Sequence, residues 1–239
     1  MFSQTAQEIC KKSSDAIDVG NMEMVSTIHI RDTKGNDRVR QITTASKQFG
    51  NATKMLIKFI SPADVKGTAI LVYDYENEAD NMWIYMPALR KVRRVVSSER
   101  GKNFMGSEFT NADMSKPNIA DFEYTILGSE TYNGKNCWKI EAKCKTSAIE
   151  NENGFAKRIS IIDKSNFLCY KVEFYNASSK PERIQTISNY KIQPNGKYYA
   201  YNMLMENVKT GRKSEMITDK FQSGSLLPES AFAPTALEK

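Results

Sequence analysis

Leu168, Tyr170, Val172 and Phe174 alternate with Cys169, Lys171 and Glu173, and this period of two recurs along almost the whole chain. Successive side chains of a strand point to opposite faces, so such an alternation marks a sheet with one apolar face. Tyr199, Tyr201, Met203 and Met205 repeat the pattern, as do Trp138, Ile140 and Ala142. Strands are predicted at Met22 to Arg31, Arg38 to Phe49, Lys54 to Ile60, Thr68 to Tyr75, Asn81 to Tyr85, Lys91 to Ser97 and Phe122 to Thr131, and again at Lys135 to Lys145, Phe155 to Asp163, Phe167 to Tyr175, Ile184 to Lys191, Tyr198 to Asn207 and Lys213 to Lys220. Between them stand Lys34-Gly35-Asn36-Asp37, Asn133-Gly134, Asn195-Gly196 and Thr210-Gly211, which suit short hairpin turns. About a dozen strands joined this way predict an antiparallel meander and not βαβ units.

One long apolar face must be covered. Two stretches of any size are not strand-like. Thr5 and Glu8 have capping-box spacing, and Ala6, Ile9, Lys12, Ser13, Ala16 and Ile17 give a modest amphipathic stripe, so a helix is predicted over about residues 5–18. The second stretch, Ser98 to Asn118, carries Phe104, Met105, Phe109 and Met114 among Gly101, Gly106, Ser107 and Asp113. Glycine lets such a segment bend, and Met and Phe make a soft apolar surface. A movable lid whose Phe104 and Phe109 leave when a ligand enters, and a fixed plug completing the core, both fit these residues.

The remaining features exclude more than they assign. With 239 residues, 40% of them apolar, and no Pro/Ser/Gly linker, residues 1–239 read as a single domain. The longest apolar run, Ala69 to Tyr73, is far below the roughly 20 residues of a membrane-spanning helix. Met1 to Ala6 lacks the basic start and apolar centre of a secretory signal, which taken alone points to the cytoplasm. A net charge of +6 favours anionic surfaces, but the cations are spread along the chain without a recognition helix, so no nucleic acid is expected. Cys10, Cys137, Cys144 and Cys169 lack metal-ligand spacing, His29 is the one histidine, and neither a metal nor another cofactor is expected. The cysteines read as mostly free. No nucleophile, metalloprotease or nucleotide motif occurs, so the chain is not expected to be an enzyme and no catalytic residue is assigned. The carboxylates Asp74, Glu76, Glu78 and Asp80 crowd a turn, where they are expected to pair with Arg90 to Arg94 across a hairpin.

The stretch from Phe59 to Met114 is the most distinctive. On a strand from Leu89 to Val96, Arg90 and Arg94 would project from one face and Lys91 and Arg93 from the other. Cross-strand ion pairing and the holding of an anionic head group or a partner both remain open for Arg90, Arg93 and Arg94. Three blocks stand in this stretch: FISPADVKGTA, MWIYMPALRKVRR and FMGSEFTNADM. They resemble the signature blocks of the LolA-like outer-membrane lipoprotein-sorting family. The resemblance implies a mainly β fold, an incomplete (half) β-barrel of about 11 antiparallel strands with short helices over its concave face. It also implies a monomeric periplasmic carrier of lipid or lipoprotein acyl chains, with an export signal lying outside this sequence. An inner-membrane transporter or outer-membrane acceptor would be its partner. On that reading the cavity and its lid are lined by Trp83, Tyr85, Phe104, Met105, Phe109, Trp138, Tyr170, Tyr201 and Met203. The competing reading is a non-catalytic module whose basic strand docks on an envelope protein.

Overall fold

Every strand predicted from the alternation forms, and all thirteen join one antiparallel sheet. The computed structural model describes residues 4–75 and 78–238; Glu76, one of the four carboxylates of the acidic turn, lies outside them. A helix α1 (Ala6–Ala16) leads into β1 (Met22–Arg31), β2 (Asp37–Phe49), β3 (Ala52–Ser61), β4 (Ala69–Tyr75), β5 (Asn81–Met86) and β6 (Lys91–Arg94). After a long connection come β7 (Phe122–Tyr132), β8 (Lys135–Cys144), helix α3 (Ser147–Asn153), β9 (Lys157–Asp163), β10 (Cys169–Tyr175), β11 (Pro181–Ile192), β12 (Tyr198–Asn207) and β13 (Lys213–Ser223). The connection itself holds the one-turn helix α2 (Ser97–Arg100). α1 starts as its sequence demands: the Thr5 hydroxyl accepts from the Glu8 amide and the Glu8 carboxylate accepts from the Thr5 amide.

The strand order is β6-β5-β4-β3-β2-β1-β13-β12-β11-β10-β9-β8-β7. Neighbours in space are neighbours in sequence everywhere except at β1–β13. The sheet is not closed: β6 and β7, consecutive in the chain, are its two opposite edges. Residues 95–121 must therefore cross from one edge to the other, over one face. Thirteen strands replace the eleven or so that the resemblance implied, because the short edge strand β6 and every predicted segment pair in one ladder.

We call the face under the crossover the inner face. Pairing fixes its members: Ile28 lies opposite Met216, Ile42 opposite Phe59, Ile57 opposite Ile70 and Val72 opposite Met82. These side chains pack with Phe104 and Phe109 of the crossover and with Val172, Phe174 and Met205 in the main core. α1 covers the far end, where Ala6 and Ile9 meet Ile140 and Ile162 beside Trp138.

The outer face is divided. Across β8–β10 it is polar, with ion pairs Lys157–Glu141 at 2.8 Å and Lys171–Glu173 at 2.6 Å. Across β2–β5 it is apolar: Ala45, Leu56, Ala69 and Leu71 are covered by Phe232 and Leu237 of the C-terminal segment, which winds through short 3₁₀ turns at Glu229–Phe232 and Pro234–Ala236. β4 is thus buried on both faces. That explains why Ala69, Ile70, Leu71 and Val72 form an unbroken apolar run and do not alternate.

Candidate functional site

The crossover fills the middle of the inner face with a tight hook. Phe104 donates its amide to the Phe109 carbonyl at 2.7 Å, and Ser107 donates to the Phe104 carbonyl at 2.9 Å. Met105 (φ 48°) and Gly106 (φ 76°) take the two left-handed positions at its tip, a conformation that glycine adopts without penalty and methionine only under constraint. The hook drives both rings inward: Phe104 is 0% and Phe109 2% exposed, and Phe104 lies 6.0 Å from Phe59, ring centre to ring centre. Burying two Phe side chains stabilises this closed arrangement by about 3–6 kcal/mol.

Polar groups hold the hook to the sheet. Arg183 Nη1 donates to Asp113 Oδ2 at 2.7 Å, and the Glu108 amide donates to Ser214 Oγ at 2.9 Å. The buried Glu108 carboxylate also accepts from Asn207 Nδ2 at 3.0 Å, and Arg212 Nε lies 2.9 Å from its other oxygen. Arg40 donates to the Met105 carbonyl. A hydrogen bond to a charged group contributes about 1.5–3 kcal/mol, but only while both partners stay in place. The hook is therefore held to the sheet both by its two buried rings and by hydrogen bonds to charged groups.

One end of the crossover is anchored differently. A Cβ on Gly101 would stand 2.7 Å from the Asn151 carbonyl oxygen and 2.8 Å from Gly154 Cα. Gly101 thus serves the close approach of α2 to α3, and not the bending that glycine lends such a segment. The buried Arg100 pairs with Asp80 at 2.8 Å and with Glu152 of α3 at 3.2 Å. Asp80 of the acidic turn is therefore committed to Arg100, and among the described residues no ion pair joins that turn to the Arg90–Arg94 cluster. Asp74 accepts from the Lys116 amide at 3.0 Å, and burial, with Asp80 adding to it, pushes its carboxyl up to about 6.

The sequence-predicted lining residues are dispersed. Phe104, Met105, Phe109 and Met203 meet on the inner face. Trp138 packs under α1 with Ile140 and Ile162. Tyr201 packs edge-on against Tyr199 and tilted against Phe221, 6.2 Å from the latter ring. Tyr170, expected among the cavity residues, instead joins Tyr132, Lys135 and Tyr190 beside Asp163, because a register shift between Cys169 and Lys171 turns it away. Trp83 and Tyr85 also require correction. They pair with Leu71 and Ala69 and lie on the outer face, under the C-terminal segment.

The basic cluster sits at the sheet edge. Arg90 (φ 46°) occupies a turn before β6, Arg93 pairs with Glu99 at 2.6 Å, and Arg94 donates to Asn81. All three are exposed. Charged side chains on an edge strand also discourage pairing with another chain. Sequence reasoning did not single out Arg40, Arg183 and Arg212, which hold the hook. A signal existed for Arg40, which shares parity with the buried Ile42, Thr44 and Ser46 on its strand.

Among the spaces on the surface, two lie near these elements. A small one of about 330 Å³ lies beside the hook tip, between Ile30, Asp32, Asn36, Arg38 and Arg212. A larger groove of about 860 Å³ lies on the outer side, between β1–β3, β13 and the C-terminal segment, lined by Val25, Ala45, Leu56, Lys58, Lys220 and Leu227 among others. The four cysteines are free, and burial pushes the Cys10 thiol up to about 11 and those of Cys144 and Cys169 to about 12. His29 is tied to Asp37, Nδ1 to Oδ2 at 2.8 Å.

Comparison with known proteins places this architecture. A family model described as "Uncharacterized protein" matches residues 51–239. Among solved structures, a domain described as outer membrane lipoprotein-sorting from Vibrio parahaemolyticus is 28% identical, with a TM-score of 0.90 over 98% of both chains. A DUF1329 family protein from Desulfovibrio piger is 23% identical, with a TM-score of 0.89 over 97% of each chain. A LolA superfamily protein from Nitrosomonas europaea is 21% identical, with a TM-score of 0.75 over 97% of this chain and 98% of that one. The last two likenesses concern the fold. No curated protein matches the chain in sequence.

Proposed function

We propose, from the premise that this chain belongs to the LolA-like family of outer-membrane lipoprotein-sorting proteins, that it is a periplasmic carrier without catalytic activity, which takes acyl chains onto its inner face when the crossover swings out. The observation that carries this reading is the hook: two fully buried Phe rings belong to a connection that is covalently tied to the sheet only at its two edges. Each buried CH₂ contributes roughly 0.8 kcal/mol, so four to eight methylenes match the 3–6 kcal/mol of the two rings, and a longer chain also offsets the polar latch. Uptake and release are then close to balance, as a carrier requires. The cargo class is an amphiphile with at least one long acyl chain, a lipid or an acylated protein.

The exposed basic edge, Arg90 and Arg94 above all, is the proposed contact for a membrane transporter or acceptor. The competing reading makes that edge the whole function. Titration of the delipidated protein with an environment-sensitive fluorescent fatty acid separates them. Saturable uptake that survives reversal of Arg90 and Arg94 to Glu supports the carrier. Folded protein that takes up no acyl chain, yet loses a membrane partner on that reversal, refutes it.

A further inference from the structure

Four arginines converge on the hook, two from β2, one from β11 and one from just before β13. Arg38 and Arg40 point to the inner face, opposite Ile30 and Ile28. Arg212 precedes β13, and Arg183 lies on β11. Among the described residues, every hydrogen-bond and ion-pair partner of the Arg40, Arg183 and Arg212 guanidiniums belongs to the crossover: the Met105 carbonyl, the Glu108 carbonyl with Asp113, and the Gly106 carbonyl with Glu108. Arg38 has no such partner, and its Nη2 stands 4.0 Å from where a Gly106 Cβ would be. The acids nearby do not replace the crossover. Asp32 spends its oxygens on Lys34 and Asn36 of its own turn, and Asp64 attracts Arg40 without forming an ion pair.

When the hook leaves, these cations lose their partners at the rim of an apolar face. Guanidiniums left unpaired there are costly, and a planar fork of donors matches the oxygens of phosphate or carboxylate. The space of about 330 Å³ beside Arg38 and Arg212 is within the usual size of a small-ligand site. We propose that Arg38, Arg40 and Arg212 form an oxyanion site for the head group of the cargo, so that the protein prefers anionic amphiphiles to neutral ones. The head group takes over the donors that hold the Met105 and Gly106 carbonyls in the closed state. This assignment rests on the carrier reading and adds the cargo's charge to it.

Oleoyl lysophosphatidate and monoolein differ only in the phosphate and make the test. Displacement of a fluorescent fatty acid from the full chain should give lysophosphatidate an advantage of about tenfold or more, equivalent to about 1.4 kcal/mol. In an R38A/R212A variant the two lipids should become nearly equal while monoolein binding holds or improves. R38A alone, which removes a side chain with no partner in the closed form, should reduce the advantage several-fold without affecting folding. Equal affinities in the wild type, or a preference retained in both variants, overturn the head-group site. Inorganic phosphate binding as tightly as the lipid would assign the arginines to a free anion and overturn it too. Uptake of neither lipid by the wild type refutes the carrier reading beneath it.

Discussion

Replacing Phe104 and Phe109 with Ala, singly and together, asks whether the hook is a separable unit. In a fixed core each Phe→Ala change removes burial and leaves a cavity, about 3–5 kcal/mol per site, and two such losses would add up to about 6–10 kcal/mol. If the crossover can detach, the loss is capped. Once one substitution has used up the free energy of closure, the hook leaves the sheet and the second substitution costs little more. The 3–6 kcal/mol held by the two rings sets that cap, so the double variant should lose well under the sum of the single losses. Urea unfolding gives the three differences, and amide exchange shows where they arise. The Phe104, Ser107 and Asn111 amides, bonded to Phe109, Phe104 and Lys102 within the crossover, should lose protection, while amides of β3 and β4 keep theirs. Additive losses with uniform loss of protection would show the hook to be a fixed part of the core and would refute the separable crossover.

Gly101→Ala should lower stability by about 1–3 kcal/mol, because its Cβ meets backbone of α3 at 2.7 Å; an unchanged Tm would exclude the close α2–α3 contact. Asp74 should make the fold pH-sensitive. Its folded pKa of about 6 exceeds the ordinary carboxylate value, so its stability contribution is fully present at low pH and is lost as pH rises through about 6. Asp74→Asn, which cannot ionise, should therefore be more stable than the wild type at pH 7.5, by about 1–2 kcal/mol after allowance for partial exposure, and equal near pH 4. The same gain at both pH values would contradict burial of the charge as the cause. Phe232→Ala should cost about 3–5 kcal/mol and expose the Trp83 indole to quenchers, since Phe232 is fully buried over the cluster that holds Trp83; unaltered quenching would mean that the C-terminal segment does not seal that face.

Local signals in this chain report local structure well. Thr5 and Glu8 form the cap their spacing predicts, and Asn133 and Gly134 take the paired positive φ of a tight hairpin. Alternation locates the strands because on most of them one face packs against other residues while the other meets water. Parity within one strand, however, does not say which face is which. Trp83 and Tyr85 share parity with each other, but only pairing with Leu71 and Ala69 on β4 assigns them to the outer face. A bulge reverses parity, as happens between Cys169 and Lys171. The α3 segment, Ser-Ala-Ile-Glu-Asn-Glu-Asn, has no apolar stripe, and the C-terminal segment has no period at all, so neither was read as a cover. The arginines around the hook come from β2, β11 and the approach to β13. Sequence distance hides such a cluster, and only the topology that lays 95–121 across the inner face brings it together.

Amide exchange followed by mass spectrometry, with and without saturating oleate, tests whether the crossover opens to admit an acyl chain. Oleate binding should strip protection from residues 102–116 while the C-terminal segment, 225–238, and the β3–β4 amides remain as they were. Binding that instead alters 225–238 beside the 860 Å³ outer groove, and leaves 102–116 closed, would contradict that opening.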